Sequence, residues 1–442
     1  MKRFLLLNSP IYWDSTAENE QYLSPLGLGY IATYLEKAGI EVELLDCVKE
    51  RVSVPDILRG IAMSGANYVG INIFTQNYDI VRYIMENNET ECTCFVGGPA
   101  AKFLYPDILR WSTKNKLFII IGDGELIIPQ IVLGKCSQAP ECEQGTKQVY
   151  RVDATSPYFP RDISSVYINR KYLGNEIVTN HYGEEEIAII TSRGCAYNCA
   201  FCGGAKSLNQ GIPIRIRNKE SIVKELDDIV STYPNVRSVR VLDDLFLRGQ
   251  QSILTANSIF SRYSNLSWRG MAHILSLSGA FDQIKDLRVG QCRELFVGIE
   301  SGSNRIRKRI NKLGSPEDVL RVSREILRCG IDLKGYFIYG FPSETKEDFR
   351  KTYDLAASIK EISLHTPGNF RASVFQFRPY HGTQLYQEIL HSTGILHSCE
   401  HTDGLDTTGL SQFNFDFGNY SVEPDELLHE YIQKTRNLGE ES

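Results

Sequence analysis

Short apolar runs alternate with amphipathic stretches through the first third of the chain. Five runs have the length and β-branched content of buried strands, at 4–7, 42–46, 68–73, 93–97 and 117–121. Helical periodicity begins between them near Leu26, Pro55, Asn77 and Tyr105. Strands that alternate with helices predict a parallel sheet covered on both faces, here of the flavodoxin-like or Rossmann-like type.

The same alternation recurs about six times in the second half of the chain. The predicted strands are 187–191, 238–242, 267–272, 294–298, 332–339 and 372–377, with helical periodicity between them, as at 221–230 and 316–328. Six such units predict a partial (β/α)6 barrel, whose functional residues are expected at the carboxyl ends of its strands.

The segments outside these two patterns are polar. Residues 136–186, which end in Glu184-Glu185-Glu186, predict a linker, and residues 386–442 predict a C-terminal extension. In that extension Phe413, Phe415, Phe417 and Tyr420 alternate with polar residues, which is typical of an edge strand or of a lid over the barrel. The predicted division is therefore a first domain at 1–135, a linker at 136–186, a barrel at 187–385 and an extension or lid at 386–442.

Composition narrows the environment and the partners. A net charge of −6 argues against a surface that coats nucleic acid, so DNA or RNA is not the expected substrate. No segment is recognisable as a domain that binds a peptide leader or tRNA, which favours a small molecule. The apolar run at 4–7 ends at Asn8-Ser9-Pro10, so it predicts a buried strand and no membrane span. Eleven cysteines, an odd number, are typical of a reducing compartment, and we expect a cytoplasmic protein.

Cys195, Cys199 and Cys202 follow the first barrel strand at CxxxCxxC spacing. Three cysteines on one loop can hold an iron–sulfur cube and leave one iron open for another ligand. A zinc site would need a fourth cysteine or histidine nearby, but His181 and His273 lack that spacing.

Structurally buried cysteines are the other alternative for this segment. Arg193, Gly194, Asn198 and the Gly203-Gly204 pair describe a polar, turning loop, which favours a metal cluster over a packed element.

With Phe201 directly before its third cysteine, this loop resembles the CxxxCxΦC motif of the radical S-adenosylmethionine (radical SAM) superfamily. The resemblance implies that Cys195, Cys199 and Cys202 ligate a [4Fe–4S] cluster and form the catalytic centre. It also implies that SAM chelates the fourth iron and is cleaved to a 5′-deoxyadenosyl radical, which abstracts hydrogen from the substrate. An external electron donor of the flavodoxin or ferredoxin type is then expected.

Three further segments resemble the same superfamily in the expected order, at 241–246, 296–303 and 336–345. The resemblance implies SAM contacts at Phe201, Gly203, Asp244, Glu300, Ser301, Tyr336 and Gly340. Carboxylates can accept hydrogen bonds from ribose hydroxyls or from the methionyl ammonium group, and glycines allow close backbone approach. Asp243 and Tyr336 can equally be structural residues that cap a helix or fill the barrel.

Substrate contacts are expected near the barrel mouth. The candidates are His273, Tyr339, Arg378, Tyr380 and His381. A lone histidine or tyrosine is more often a satisfied structural residue, so a structural role stays open for each. Arg215 and Arg217 are either surface residues or contacts to anionic groups.

The first domain resembles the cobalamin-binding domain that precedes many radical SAM barrels. The similarity lies in its opening helix at 25–35 and in its glycine loops at 96–99 and 121–125. No histidine precedes His181, so the domain cannot supply an imidazole as the lower ligand to cobalt. Since related domains either bind cobalamin without that histidine or have lost the cofactor, cobalamin binding stays open.

These features together predict a radical SAM enzyme that acts on a small molecule, and a secondary metabolite, as in natural product biosynthesis, is the expected substrate class. Cobalamin-dependent C-methylation is the favoured reaction. Cobalamin-free dehydration, epimerisation or rearrangement, such as the diol dehydration of aminoglycosides, is the alternative, and a non-catalytic iron–sulfur redox sensor is the alternative from another class.

Overall fold

The computed structural model describes residues 2–11, 22–174, 176–393 and 418–440. Two seven-stranded sheets organise these residues, one in each half of the chain, and helices cover both sheets. Within the described ranges, no helix has the length and apolar character needed to cross a membrane.

The first sheet is parallel except at one edge. Its strands are β1 (Arg3–Asn8), β2 (Glu41–Asp46), β3 (Tyr68–Asn72), β4 (Thr93–Gly97), β5 (Lys116–Gly122), β6 (Cys142–Gln144) and β7 (Lys147–Val152). Their spatial order is β2-β1-β3-β4-β5-β7-β6, whose first five members have the flavodoxin order. The predicted flavodoxin-like domain is confirmed.

Five helices connect these strands and cover both faces of the sheet. They are α1 (Leu26–Lys37), α2 (Val54–Ser64), α3 (Tyr78–Asn87), α4 (Ala101–Ile108) and α5 (Ile127–Leu133). The side chain of Ser53 caps α2 by accepting from the Asp56 amide, and Gly65 ends that helix in the left-handed conformation. The predicted start of α4, near Tyr105, is wrong by four residues. The helix begins at Ala101, and Pro106 lies inside it.

The first sheet continues past residue 135, where the sequence predicts a linker. The hairpin of β6 and β7 adds two strands, and β7 pairs in parallel with β5 from Leu117↔Lys147 to Gly122↔Val152. The polar composition of 136–147 reflects an exposed sheet edge, which carries polar side chains as a connecting segment does.

The second half forms a partial barrel, as predicted. Its strands, with the two of a short hairpin, are β8 (Val178–Thr179), β9 (Glu185–Ile189), β10 (Ser192–Arg193), β11 (Arg215–Ile216), β12 (Val236–Val241), β13 (Ser267–Ala272), β14 (Cys292–Glu300), β15 (Asp332–Tyr339) and β16 (Phe370–Gln376). The sheet order is β16-β15-β14-β13-β12-β9-β8, with β10 and β11 paired separately. Six strands of this sheet are parallel neighbours in chain order, namely β9, β12, β13, β14, β15 and β16. β8 runs antiparallel to β9.

Nine described helices accompany this sheet. They are α6 (Lys219–Thr232), α7 (Gln250–Phe260), α8 (Ile274–Ser278), α9 (Ile284–Val289), α10 (Asn304–Arg309), α11 (Pro316–Arg328), α12 (Lys346–Leu364), α13 (Gln384–Thr393) and α14 (Asp425–Glu440). Trp268, Phe337, Phe349 and Phe370 are fully buried between the sheet and this helical layer.

The interior of the partial barrel carries buried charges. Glu186 of β9 is 1% exposed and accepts from Nε of Arg269 at 2.6 Å and from Oγ of Ser238 at 2.9 Å. Glu294 of β14 accepts from Nη1 of Arg269 at 2.9 Å and from Nε of Arg371 at 3.0 Å. The acidic run that predicts the end of a linker is therefore in part the first barrel strand.

The last described helix lies against the outer strand of the barrel sheet. α14 packs on β16 and α12, and Thr435 exchanges a hydrogen bond of 2.8 Å with the buried hydroxyl of Tyr339. Arg436 donates to the main-chain oxygen of Val374 in β16 at 3.0 Å. Phe413, Phe415 and Phe417, with the edge strand or lid predicted for them, lie outside the described residues.

Candidate active site

The three-cysteine loop follows the short strand β10, at the carboxyl end of the barrel sheet. Cys195, Cys199 and Cys202 are all half-buried, and none forms a disulfide. The carboxylate of Asp244 accepts from the Gly194 amide at 3.0 Å, which ties the loop to the segment after β12. Asp244 is thus placed beside the cysteines, where the sequence predicts it.

Asp243 makes the connection beneath this loop. Its carboxylate accepts from the amide of Thr191 at 2.7 Å and from the amide of Ser192 at 3.0 Å. It also accepts from both of their hydroxyls. Asp243 is 3% exposed, and these four bonds give it the structural role that the sequence left open.

Tyr197, inside the cysteine loop, is held by a residue that the sequence offered as a substrate contact. Its ring stacks on His273 with centroids 3.7 Å apart, and its hydroxyl lies 2.9 Å from Oγ of Ser276. Nδ1 of His273 accepts from the Leu275 amide at 3.1 Å and so caps α8. His273 is buried and supports the loop, and burial lowers its pKa to about 3, so the imidazole is neutral.

A cavity of about 1170 Å³ separates the cysteine loop from the first sheet. The barrel side contributes Cys195, Gly203 and Asp244, and the first domain contributes the glycine loops after β4 and β5. Gly98 and Gly122 have φ of +123° and +98°, and a Cβ on Gly122 would lie 2.3 Å from the Val152 oxygen. Only glycine fits there, so the backbone itself forms this wall of the cavity.

Ion pairs join the two domains beside this cavity. Asp123, after β5, pairs with Arg193 at 2.7 Å and also with Arg215, while Glu125 pairs with Arg193 at 2.6 Å. Both arginines lie on the β10–β11 hairpin that flanks the cysteines. The sequence analysis missed this cluster. Asp123 and Glu125 stand out in a glycine loop, but nothing in the sequence indicates which arginines they bind.

Arg217 makes a different contact, within the barrel domain. It is buried, and its guanidinium pairs with Glu225 of α6 and donates to the Ile190 oxygen at 2.9 Å. The sequence allowed Arg215 and Arg217 to be either surface residues or contacts to anionic groups. Both arginines bind a carboxylate, so the second alternative holds for each.

A second cavity of about 350 Å³ lies inside the partial barrel. Phe201 of the cysteine loop lines it, as do Tyr336, Arg378 and Tyr380 from the predicted residues. The remaining walls are largely apolar, and they also include Arg240 of β12. The cysteine loop therefore faces both cavities, Cys195 the larger and Phe201 the smaller.

Glu300 and Ser301 lie at the end of β14 and are both buried. Glu300 has φ of +64° and pairs with Nζ of Lys312 at 3.0 Å, and both groups act electrostatically on Cys199. The hydroxyl of Ser301 lies 3.0 Å from Oγ1 of Thr352 and accepts from the Ser303 amide at 3.1 Å.

Gly340, Tyr339 and His381 line neither cavity, and the same holds for His273, Glu300 and Ser301. Gly340 donates its amide to Glu344 at 2.7 Å and faces Leu428 of α14. Tyr339 is fully buried between Phe349 and Tyr431, so it is part of the core and cannot contact a substrate. His381 lies against the first domain, with Nδ1 3.1 Å from Oγ1 of Thr75.

The cysteine thiols are protonated in the metal-free chain at neutral pH. Burial raises the pKa of Cys195 and Cys199 and raises that of Cys202 to about 12. In the part of the chain that the structure describes, no three histidine, cysteine or acidic side chains converge as the ligands of a single metal ion do. A cube-shaped cluster presents its irons at separate corners, so its cysteine ligands need not converge on one point.

Comparisons with known proteins match both halves of the chain. Residues 13–132 match the B12 binding domain, and residues 189–356 match the radical SAM superfamily. An uncharacterized methyltransferase of Pyrococcus horikoshii is 26% identical over 84% of this chain and 80% of its own. The hopanoid C-3 methylase of Methylococcus capsulatus is 25% identical over 83% of this chain and 70% of its own.

Among solved structures, the radical S-adenosylmethionine methyltransferase TsrM from Kitasatospora setae is similar in fold. Its TM-score is 0.66 at 18% identity, and the alignment covers 88% of this chain and 76% of TsrM. The two domain matches fall in order on the two sheets described above. The chain therefore carries a radical SAM domain that follows a B12 binding domain.

Proposed function

We propose that this radical SAM enzyme methylates a carbon atom of a small molecule with the help of cobalamin. The observation that carries the proposal is the cavity of about 1170 Å³, which the cysteine loop and the glycine loops after β4 and β5 line from opposite sides. The names of the relatives from Pyrococcus and Methylococcus, a methyltransferase and a C-3 methylase, support methyl transfer.

Cys195, Cys199 and Cys202 are the proposed ligands of a [4Fe–4S] cluster. Three half-buried thiols, unpaired by disulfides and on one irregular loop, are a suitable donor set for it. When bound, such a cluster supplies the electron that cleaves SAM. The chain's own part is to hold the loop in place, through Asp244 below Gly194 and through the stack of Tyr197 on His273.

SAM contacts are proposed for the residues next to this loop. Gly203 and Asp244 border the larger cavity, and the negative charge of Glu300 contributes to the raised pKa of Cys199. Phe201 and Tyr336 face the smaller cavity and are proposed to contact the adenosyl group or the substrate. Ser301 and Gly340 are proposed to shape their loops, because their polar groups already bind Thr352 and Glu344.

Cobalamin fits the larger cavity in one respect and is constrained in another. The backbone walls at Gly98 and Gly122 would admit a bulky planar ligand to close range. Among the described residues no histidine lines the cavity, and none precedes His181 in the sequence, so the first domain would bind the cofactor without an imidazole on cobalt.

Further partners follow from the superfamily. SAM is the proposed co-substrate and a small molecule the proposed substrate, and the electron is proposed to come from a flavodoxin or ferredoxin. The cysteine usage supports the cytoplasm as the proposed compartment.

The experiment is anaerobic reconstitution of the full chain with iron, sulfide and hydroxocobalamin, then desalting and metal analysis. We expect about four irons and about one cobalt per chain. Dithionite and SAM should then give 5′-deoxyadenosine. Cys199→Ala should lose the iron and the product, whereas the control Cys142→Ala, on the sheet edge at β6, should keep both.

Each outcome discriminates among the candidate functions. Iron without cobalt would replace methylation by cobalamin-free dehydration or rearrangement. Absence of 5′-deoxyadenosine from a fully loaded protein would favour a redox sensor, and product formation by the Cys199→Ala variant would refute the ligand assignment.

A further inference from the structure

Two cations inside the partial barrel form no ion pair with a described carboxylate, although Glu186 and Glu294 lie near enough to attract them. Arg269 and Arg371 are neutralised by Glu186 and Glu294. Arg240 on β12 and Lys334 on β15 face the same interior, yet among the described residues neither forms an ion pair or a hydrogen bond through its side chain.

Their surroundings make this arrangement costly. Nε of Arg240 is buried without a hydrogen-bond acceptor, and Lys334 is 8% exposed. The ring of Phe296 lies 5.3 Å from the guanidinium of Arg240 and 5.9 Å from Nζ of Lys334. A ring face attracts a cation less strongly than a carboxylate does, so the desolvation of both charges is only partly offset.

The smaller cavity adjoins Arg240 and Phe296. Arg240 lines it together with Phe296 and Tyr336, and Arg378 contributes a second guanidinium to its wall. Lys334 precedes Tyr336 by two positions, so it faces the same side of β15 one layer deeper. The lining also includes one carboxylate, that of Asp243, which accepts hydrogen bonds from Thr191 and Ser192. A ligand in the cavity would meet the guanidinium groups of Arg240 and Arg378 between aromatic walls.

We infer that the barrel cavity binds an anionic group of the substrate, a carboxylate or a phosphoryl group, through Arg240. The inference names the substrate class of the proposed function and rests on it. A guanidinium presents two parallel N–H donors that match the oxygens of either group. The rest of the ligand would pack against Phe296, Phe375 and Phe377, which line the cavity.

The carboxylate of SAM is the other possible source of this anion. Phe201 of the cysteine loop lines the same cavity as Arg240, whereas Cys195 of that loop borders the larger cavity. The affinity for SAM in the Arg240 variants therefore separates the two sources.

The test uses aromatic probes of one size and different charge. Binding of benzoate, phenylphosphonate and neutral benzamide to the reconstituted full chain is measured by calorimetry without SAM. We expect at least one anion to bind at least tenfold more tightly than benzamide, and Arg240→Met to abolish that preference. Arg237→Met, on an exposed arginine of the same strand, is the matched control and should preserve it.

A second variant and a second ligand complete the design. Arg240→Lys keeps a cation and should retain part of the preference for anions, which guards against a folding defect in Arg240→Met. The affinity for SAM should be the same in wild type and in both Arg240 variants. Equal binding of anions and benzamide would overturn the inference, as would a loss of SAM affinity in Arg240→Met that matches its loss of anion affinity.

The outcome is separable from that of the proposed function. Probe binding requires no turnover, whereas 5′-deoxyadenosine formation and cobalt content of the wild-type chain test the enzyme activity. A wild type that makes the product but binds benzoate no better than benzamide would refute only the anion site.

Discussion

The pKa of Lys334 depends on its burial and on the charged residues around it. Burial and the neighbouring Arg371, followed by Arg240 and Arg269, lower the pKa of Lys334 to about 8, against an opposing effect of Glu294. An unfolded lysine titrates near 10.4. Between these two values the unfolded chain binds more protons than the folded one, so this side chain makes stability rise with pH across that window.

Replacing Lys334 should therefore have a pH-dependent effect. Below pH 8 the folded wild type retains a buried charge that Lys334→Met lacks, so the stability of the variant relative to wild type should be greater at pH 7.5 than at pH 10. Guanidinium unfolding at the two pH values measures the difference. The exposed Lys351→Met should show the same difference from wild type at both values, and a pH-independent difference for Lys334→Met would contradict the account.

At the scale of elements, α12 holds the loop that follows β14. Thr352 donates to or accepts from Ser301 and accepts from the Gly302 amide at 3.0 Å, while Asp348 accepts from Ser303. A Cβ on Gly302 would lie 2.2 Å from the Lys351 oxygen. Because the obstacle is helix backbone, no side-chain rotation can relieve it.

Gly302→Ala is accordingly expected to destabilise the fold by about 3 kcal/mol, through a forced shift of α12 from β14. Gly27→Ala is the matched control, because Gly27 is exposed in α1 and its Cβ would meet nothing within 4 Å. That change should stabilise by about 0.5–1 kcal/mol. Thermal unfolding compares the two variants, and similar midpoints would mean that the loop after β14 can move away from α12.

Elements were predictable where apolar residues mark them. The strand at 267–272 was predicted at the limits that the structure gives, because the buried apolar residues Trp268 and Ala272 mark its two ends. Glu186 was missed because its charge lies inside the barrel, satisfied by Arg269 from β13. A local pattern records burial only for side chains that need no distant partner.

The candidate site follows the same division. The cysteine loop and Asp244 were predictable because a single short segment, or the end of the next strand, carries each motif. The contacts of Asp123 with Arg193 and Arg215 join positions far apart in the chain, and Tyr339 was misplaced because α14 buries it from behind. Each of these depends on how separate elements pack.

At the scale of the whole molecule, the two sheets are joined beside the proposed cofactor cavity. Asp123 serves two arginines of the hairpin that flanks the cysteines, and Lys102 of α4 donates to Oδ1 of Asn209 at 2.7 Å. The charged side chains at this contact are mostly buried, so salt should screen them less than it screens surface pairs.

Asp123→Asn should weaken this contact by about 1–2 kcal/mol, since it removes a carboxylate from two arginines. We expect roughly tenfold faster amide hydrogen exchange in residues 193–217 and no change in α2. Asp107→Asn, which breaks the exposed pair with Arg110, should leave the exchange of 193–217 as it is in wild type. Unchanged hydrogen exchange in Asp123→Asn would show that Lys102 and other contacts are enough to hold the two domains together.

The barrel sheet has two edge strands, β8 and β16, and the longer of them, β16, has to be covered. Among the described strands β16 pairs only with β15, and α14 lies over it, with Arg436 bound to the Val374 oxygen. An open edge is a template on which another chain can add a strand. A designer who transplants this barrel into a new protein would therefore have to carry α14 along, or the graft would be prone to self-association.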